Sequence, residues 1–156
     1  MSAEMVIRDA GTDDLNTIGY LAGQIWPIAY KDILSPDQLQ YMLDLIYSPS
    51  ALSKQMTIDQ HQFLIAEIDE EPVGFASYSK IWEPATYKLH KIYVRTEIQG
   101  KGIGKTLLAR VEELIKEEGA SYLQLNVNRY NKALGFYEKV GFAKIDEEDI
   151  DIDKVW

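Results

Sequence analysis

A glycine-rich segment between a strand-like run and a helix-like run most strongly restricts the fold of this 156-residue chain. The strand-like run ends at Val94, and apolar residues recur at helical spacing from Leu107 to Ile115. Between them lies Gln99-Gly100-Lys101-Gly102-Ile103-Gly104. Glycines let backbone N–H groups turn toward one point, and a helix N-terminus favours negative charge. The segment therefore predicts a cradle for a phosphate or pyrophosphate.

Other interpretations of the glycine-rich segment stay open. A P-loop needs glycine at position 99, six residues before Lys105-Thr106, but Gln99 stands there. A dinucleotide-binding turn needs GxGxxG, whereas this sequence reads GxGxG. A glycine-rich turn that binds no ligand is the remaining alternative.

The order of the predicted elements indicates a mixed α/β sheet with helices packed on it. No internal repeat or linker interrupts the chain, so we expect a single domain over residues 1–156. The clearest helix start is Ser35-Pro36-Asp37-Gln38, where Ser35 caps, Pro36 suits the first turn and Gln38 reaches back. Before and after this helix, the sequence predicts a strand at 5–8, a helix capped by Thr12 that Pro27 kinks or ends, and a short helix from Ser48. A hairpin of strands 63–68 and 73–78 that turns at 69–72, and then a strand at 88–94, are predicted next. The remaining predicted elements are a helix closed by Gly119, a strand at 122–127, a helix from Asn131 to Val140 and a strand from Phe142.

Composition excludes several kinds of chemistry. The chain has no cysteine, which rules out disulfides, thiolate metal sites and a cysteine acyl-enzyme. Its two histidines, His61 and His90, lie 29 residues apart and have no partner at i+4, so we expect no metal site. The formal net charge of −9 opposes nucleic-acid binding and favours cationic partners.

The sequence shows no sign of a membrane span. Its first residues have no basic segment followed by an apolar one, and no run approaches the ~20 apolar residues that a span requires. We expect a soluble, cytoplasmic protein.

Two motifs of the sequence resemble the signatures of the GNAT N-acetyltransferase superfamily and stand in the same order. Gln99 to Gly104 is similar to the first signature, Gln/Arg-x-x-Gly-x-Gly/Ala. The segment from Leu125 to Phe142 is similar to the second, in which Asn, Ala, Phe-Tyr and Gly-Phe recur at these spacings. The resemblance implies the GNAT fold, with about six to seven strands flanked by four helices. The layout looks most like bacterial spermidine or diamine acetyltransferases.

The same resemblance implies how acetyl-CoA binds. It would lie in a gap between the strand ending at Val94 and the strand ending at Val127, with its pantetheine paired to the backbone of the first. Its pyrophosphate would receive N–H groups from the glycine-rich segment, and no metal is implied. The cofactor-binding residues carried over are Ile92, Tyr93, Val94, Gln99, Gly100, Lys101, Gly102, Ile103, Gly104, Lys105, Asn131, Ala133, Tyr137 and Lys139.

Tyr137 and His90 are the candidate catalytic residues. Tyr137 matches the family's usual general acid, a phenol with a pKa of about 10, although it also suits a half-buried position on a helix stripe. His90 is the candidate base, because strand alternation places it on the same face as Ile92 and Val94. A core histidine, with water accepting the proton, is the alternative for His90. His61 is expected to be structural.

The acetyl acceptor is expected to be a small primary amine, with a polyamine favoured. Trp26, Tyr30 and Tyr78, beside Tyr41 and Trp82, would hold a cationic amine through cation–π contacts, or would simply belong to the core. The alternative functions are a non-catalytic acyl-CoA-binding regulator of the same fold and a protein N-terminal or lysine acetyltransferase. A short final strand would leave an edge that a second copy could cover, which would make a homodimer.

Overall fold

The computed structural model describes residues 4–98 and 100–125. Within these residues the chain forms five strands and four α-helices. The strands are β1 (Met5–Ala10), β2 (Gln62–Ile68), β3 (Glu71–Lys80), β4 (Thr86–Val94) and β5 (Tyr122–Gln124). The helices are α1 (Leu15–Ala29), α2 (Pro36–Tyr47), α3 (Pro49–Thr57) and α4 (Ile103–Glu117).

The strands form one mixed sheet in the order β1-β2-β3-β4-β5. β1 to β4 are antiparallel neighbours, while β5 runs parallel to β4 after the crossover through α4. The mixed α/β fold predicted from the sequence is therefore confirmed. The described residues hold fewer strands than expected, and the helix predicted from Asn131 and the strand predicted from Phe142 lie outside them.

Helices cover both sides of the sheet and create two apolar cores. We call the side packed by α1, α2 and α3 the α1–α3 face, and the side packed by α4 the α4 face. The core of the α1–α3 face includes Ile18, Leu21, Ile25, Trp26, Tyr30, Tyr47, Phe63, Ile65, Phe75 and Tyr93. The core of the α4 face includes Leu64, Ala66, Ala76, Tyr78, Leu89, Ile92, Ile103, Leu107, Leu108 and Val111.

Local chemistry explains where the helices begin. Ser35 Oγ accepts a hydrogen bond from the Gln38 amide at 3.2 Å, and Gln38 Oε1 accepts one from the Ser35 amide at 2.9 Å, which confirms the capping box. The expected cap at Thr12 is wrong. Thr12–Asp14 forms a 3₁₀ turn, and the carboxylate of Asp14 holds this turn by accepting from the Gly11 amide at 2.9 Å. As a result α1 starts only at Leu15.

The turns of the second half follow the sequence closely. The hairpin between β2 and β3 turns at Asp69 and Glu70, which have φ values of 51° and 69°. Gly119 has φ 87° and closes α4 in the left-handed conformation, as predicted.

Pro27 stands inside the last turn of α1, which ends two residues later at Ala29. No helix among residues 4–98 and 100–125 combines the length and apolar character that a membrane crossing requires.

Candidate functional site

The glycine-rich loop has the geometry of an anion cradle. Gly100 and Gly102 have φ values of 89° and 78°, and an added Cβ at either would meet no atom within 4 Å. Glycine is therefore required there by backbone conformation rather than by lack of space. The left-handed Gly102 ends the loop, and its carbonyl accepts the first helical bond from the Thr106 amide at 3.0 Å. The amides of Ile103 to Lys105 precede that bond and have no acceptor within the helix.

Charges around the loop complement an anion. Lys101 and Lys105 are both exposed beside the N-terminus of α4. Arg95, just before the loop, forms ion pairs with Glu71 at 2.7 Å and with Glu97, so its charge is already matched. The two lysines and the helix N-terminus therefore provide the positive potential here, while Gln99 lies outside the described residues.

The end of β4 that carries the predicted cofactor residues pairs with β3 along one edge. Gly74 lies opposite Val94 and Phe75 opposite Tyr93. A Cβ on Gly74 would come within 2.8 Å of the Tyr93 carbonyl oxygen, so glycine lets the two strands approach. On the other edge, the described pairs with β5 run only from Thr86 to Lys88. The backbone pairing proposed for Ile92 to Val94 concerns this second edge and stays a prediction.

A β-bulge in β4 changes the position of His90. Ser77 pairs with Lys91 and Tyr78 with Leu89, which leaves His90 as an extra residue. Ile92 and Val94 pack on the α4 face. His90 instead stacks on His61 on the α1–α3 face, with ring centroids 3.8 Å apart and an interplanar angle of 8°. The expectation that His90 shares a face with Ile92 and Val94 is wrong, because the bulge interrupts the strand alternation.

The surroundings of the two histidines favour neutral rings. His90 Nε2 and Ser79 Oγ lie 2.6 Å apart in a hydrogen bond. Burial lowers the pKa of His90 to about 2, with smaller contributions from His61 and Lys91. Burial likewise lowers the pKa of His61 to about 4. A ring so hard to protonate is a weak proton acceptor, and the role of His90 as a base stays a prediction.

Lys91 is the unexpected member of this region. Its side chain is 6% exposed on the α1–α3 face, and Nζ donates to Gln55 Oε1 of α3 at 2.8 Å. Nζ also lies 5.8 Å from the ring centroid of Tyr47 and 5.6 Å from that of Phe63. Burial lowers the pKa of Lys91 to about 7. A lysine inside an otherwise apolar strand, as in the sequence from Leu89 to Val94, is the signal that could have identified it.

The predicted acceptor aromatics separate into two groups. Trp26 and Tyr30 pack together on the α1–α3 face with ring centroids 4.5 Å apart, and Trp26 lies 5.9 Å from Tyr93. The hydroxyls of Tyr30 and Tyr93 share a hydrogen bond of 2.9 Å, and burial raises the pKa of Tyr30 to about 12. Tyr78 lies on the α4 face and donates to Gln62 Oε1 at 2.9 Å, so it does not join Trp26.

The other predicted site residues lie either outside the described residues or on the surface. Asn131, Ala133, Tyr137 and Lys139 lie outside the described residues. Tyr41 and Trp82 are on the surface, where Trp82 is 89% exposed. Among residues 4–98 and 100–125, no three side chains of His, Asp or Glu come together in a group that could hold a metal ion.

Comparison with known proteins gives consistent matches. The sequence model of the Acetyltransferase (GNAT) family matches residues 23–142. A spermidine N(1)-acetyltransferase from Thermoplasma acidophilum is 31% identical over 148 residues, which cover 92% of this chain and 90% of that protein. A ribosomal protein bS18-alanine N-acetyltransferase from Haemophilus influenzae is 38% identical over 74 residues, 47% of this chain and 49% of that protein.

Solved structures show the same fold. The crystal structure of PaiA N-acetyltransferase from Thermoplasma acidophilum in complex with coenzyme A has a TM-score of 0.84 and 30% identity to this chain. That match covers 96% of this chain and 94% of the other.

Proposed function

Because this chain belongs to the GNAT acetyltransferase family, we propose that it transfers the acetyl group of acetyl-CoA to the nitrogen of a small cationic primary amine, with polyamines favoured. The observation that carries the proposal is the similarity to a spermidine N(1)-acetyltransferase over nearly the full length of both chains, 92% of this one and 90% of the relative. A similarity of that extent includes the N-terminal helices as well as the cofactor loop. It therefore bears on the acceptor side of the site as well as on the cofactor.

The loop before α4 supports binding of acetyl-CoA, which supplies a reactive acetyl thioester. In this proposal the amides from Gly100 to Lys105 hold the pyrophosphate, with Lys101 and Lys105 adding positive charge. The backbone of Ile92 to Val94 holds the pantetheine at the β5-side edge of β4. The left-handed glycines and the positive helix end are the features of this chain that fit such a cofactor.

The reaction proposed is direct attack of the amine on the thioester in a ternary complex. The chain has no cysteine that could carry the acetyl group covalently. A backbone N–H near Ile92 would stabilise the oxyanion, and Tyr137 would protonate the departing sulfur. Both roles are carried over from the family resemblance.

The predicted acceptor aromatics Trp26 and Tyr30 form a connected group of rings with Tyr93 in the core of the α1–α3 face, where they are 1%, 3% and 7% exposed. Ring faces attract ammonium groups, and in this proposal the acceptor binds at the edge of this group. The net charge of −9 further favours approach of a polyamine. His90 and Tyr78 do not join this group of rings, because His90 is hydrogen-bonded to Ser79 and Tyr78 lies on the opposite face.

A protein N-terminus is the second candidate acceptor. The similarity to an alanine N-acetyltransferase of ribosomal protein bS18, at 38% identity over 74 residues, favours it. That similarity covers 47% of this chain, so it carries less weight for the acceptor than the full-length match.

The test is acetyl-CoA-dependent release of CoA thiol in the presence of polyamines, small amines, amino acids and N-terminal peptides. The protein contributes no thiol background, because it has no cysteine. Release with spermidine or related polyamines is expected. Release only with an alanine-terminated peptide would favour the second candidate, and release with no amine of the panel would contradict the proposal.

A further inference from the structure

Arg95 joins the end of β4 to the hairpin between β2 and β3. Its amide donates to the Val73 carbonyl at 2.8 Å, one residue beyond Gly74 and Val94, the last paired residues of the two strands. Its guanidinium Nη1 donates to Glu71 Oε1 at 2.7 Å, and Glu71 is the first residue of β3. The backbone and the side chain of one residue therefore both connect the end of β4 to the start of β3.

The same arginine holds the turn that leads into the glycine-rich loop. Its carbonyl accepts from the Ile98 amide at 3.2 Å, which closes the 3₁₀ turn Thr96–Ile98. Its guanidinium Nε and Nη2 both pair with the Glu97 carboxylate of that turn. Gly100, the first left-handed glycine of the loop, stands two residues after Ile98. Arg95 is thus bonded to the hairpin on one side and to the approach of the loop on the other.

A cavity of about 450 Å³ lies between the hairpin and the loop. Ile68 and Val73 line it on the hairpin side, Lys101 and Ile103 line it on the loop side, and Arg95 lies between them. Ile103 anchors the far end of the loop in the core of the α4 face. An open space transmits no packing contact, so Arg95 provides the bonded connection across it.

The ion pairs of Arg95 are suited to fixing a position rather than to stabilising the whole fold. The Arg95 side chain is 23% exposed, whereas Glu71 and Glu97 are 67% and 53% exposed. An isolated pair on the surface contributes little to stability. A largely buried guanidinium shared between two carboxylates forms a small network with a defined geometry.

We propose that Arg95 is a positioning residue for acetyl-CoA, and that its pair with Glu71 holds the glycine-rich loop in the conformation that binds the pyrophosphate. A loop that must be ordered when its ligand arrives loses affinity, and a loop that is already held in place does not. Arg95 acts through the loop, because two carboxylates already match its charge. This inference rests on the proposed function, because it concerns the cofactor of that reaction.

Glu71→Ala separates positioning from charge by the sign of its effect on acetyl-CoA binding, measured by calorimetry. Removal of a carboxylate near an anion site raises the positive potential, so electrostatics alone predicts equal or tighter binding. Positioning predicts weaker binding, with Kd raised about 5-fold. Glu113→Ala, which breaks the similarly exposed pair of Arg110 and Glu113 on α4, is the matched control and should keep the wild-type Kd. Equal or tighter binding by Glu71→Ala would overturn the proposal.

Arg95→Lys tests the geometry of the connection while it keeps the charge. A lysine has no planar guanidinium that can bond two carboxylates at once, so positioning predicts a rise in Kd of about 5-fold here too. A wild-type Kd in Arg95→Lys would overturn the proposal. The double variant Arg95→Lys/Glu71→Ala should bind no more weakly than the weaker single variant, because both substitutions break the same connection. Fully additive losses would also overturn it.

Kinetics and thermal stability distinguish this role from a merely structural one. The proposal predicts that Glu71→Ala raises the KM for acetyl-CoA about 5-fold, while kcat at saturating cofactor, the KM for the amine and Tm stay at their wild-type values. A lower kcat with an unchanged KM for acetyl-CoA would overturn it.

The wild-type protein distinguishes failure of this role from failure of the proposed function. Wild-type protein that binds no acetyl-CoA in the calorimeter would overturn the proposed function and this role together. Wild-type binding with an unchanged Kd in Glu71→Ala would overturn the role alone.

Discussion

The two faces of the sheet are built from alternate residues of the same strands, yet they bury different kinds of side chain. On the α4 face, Leu64, Ala76 and Ile92 pack against a helix with an apolar stripe. On the α1–α3 face, the strands also bury Ser77 and Lys91 among aromatic rings. Apolar burial stabilises a fold, whereas incompletely bonded polar groups cost stability. The contrast indicates that the α4 face serves mainly stability, whereas the α1–α3 face gives up some stability to bury polar side chains.

The largest expected effect comes from the α4 face. Leu107 is fully buried there, and Leu107→Ala should lower the free energy of unfolding by about 3 kcal/mol, because it removes buried methyl groups and leaves a cavity. Chemical denaturation measures this loss. Leu45→Ala on the exposed side of α2 is the control, with a change within about 0.5 kcal/mol. A loss within about 0.5 kcal/mol in Leu107→Ala would contradict a mainly stabilising role of the α4 face.

The next effect is a pH dependence of stability that belongs to the α1–α3 face. The folded pKa values of His90 and His61, about 2 and about 4, lie below the ordinary histidine value of 6.5. Above pH 6.5 both states hold neutral histidine rings, so the histidines do not change stability with pH there; Lys91, whose folded pKa of about 7 lies below the ordinary 10.5, does so between these two values. Below pH 6.5 the unfolded chain binds protons that the folded chain does not, so stability falls as the pH drops toward 4.

Denaturation at pH 8, 6 and 5 measures this dependence. The expected loss is on the order of 1 kcal/mol per pH unit below 6.5, and His90→Gln should make the slope shallower. Equal slopes in the wild type and His90→Gln would show that the stacked histidines do not cause the loss.

The smallest expected stability change concerns the cofactor loop. Gly102→Ala forces an alanine to φ 78°, which costs about 1 kcal/mol and turns the loop amides away from their common point. We therefore expect weaker binding of acetyl-CoA, measured by calorimetry. Gly23→Ala, on the exposed side of α1, is the matched control and should retain affinity. Full affinity for acetyl-CoA in Gly102→Ala would show that this loop does not take part in binding the cofactor.

Much of the fold followed from local rules. The capping box at Ser35, the hairpin turn at Asp69 and the left-handed Gly119 are each set by residues within a few positions, and the structure confirms them. The cap expected at Thr12 was wrong because the Asp14 carboxylate, which accepts from both the Arg8 guanidinium and the Gly11 amide, holds Thr12–Asp14 in a 3₁₀ turn. The site was only partly predictable. Trp26 and Tyr30 pack against each other, whereas Tyr78 lies on the opposite face and His90 does not share a face with Ile92 and Val94.

The sequence by itself determined the mixed α/β class and the position of the glycine-rich loop before α4, because glycine conformation, helix capping and apolar periodicity are local properties. Its two motifs carried the resemblance to the family. Tertiary structure alone decided the bulge at His90, the burial of Lys91 beneath Tyr47 and the unused hydroxyl of Ser77. The physical reason is strand register. A single extra residue in β4 reverses which side chains face each core, and no spacing within one strand reveals what its neighbour will pair with.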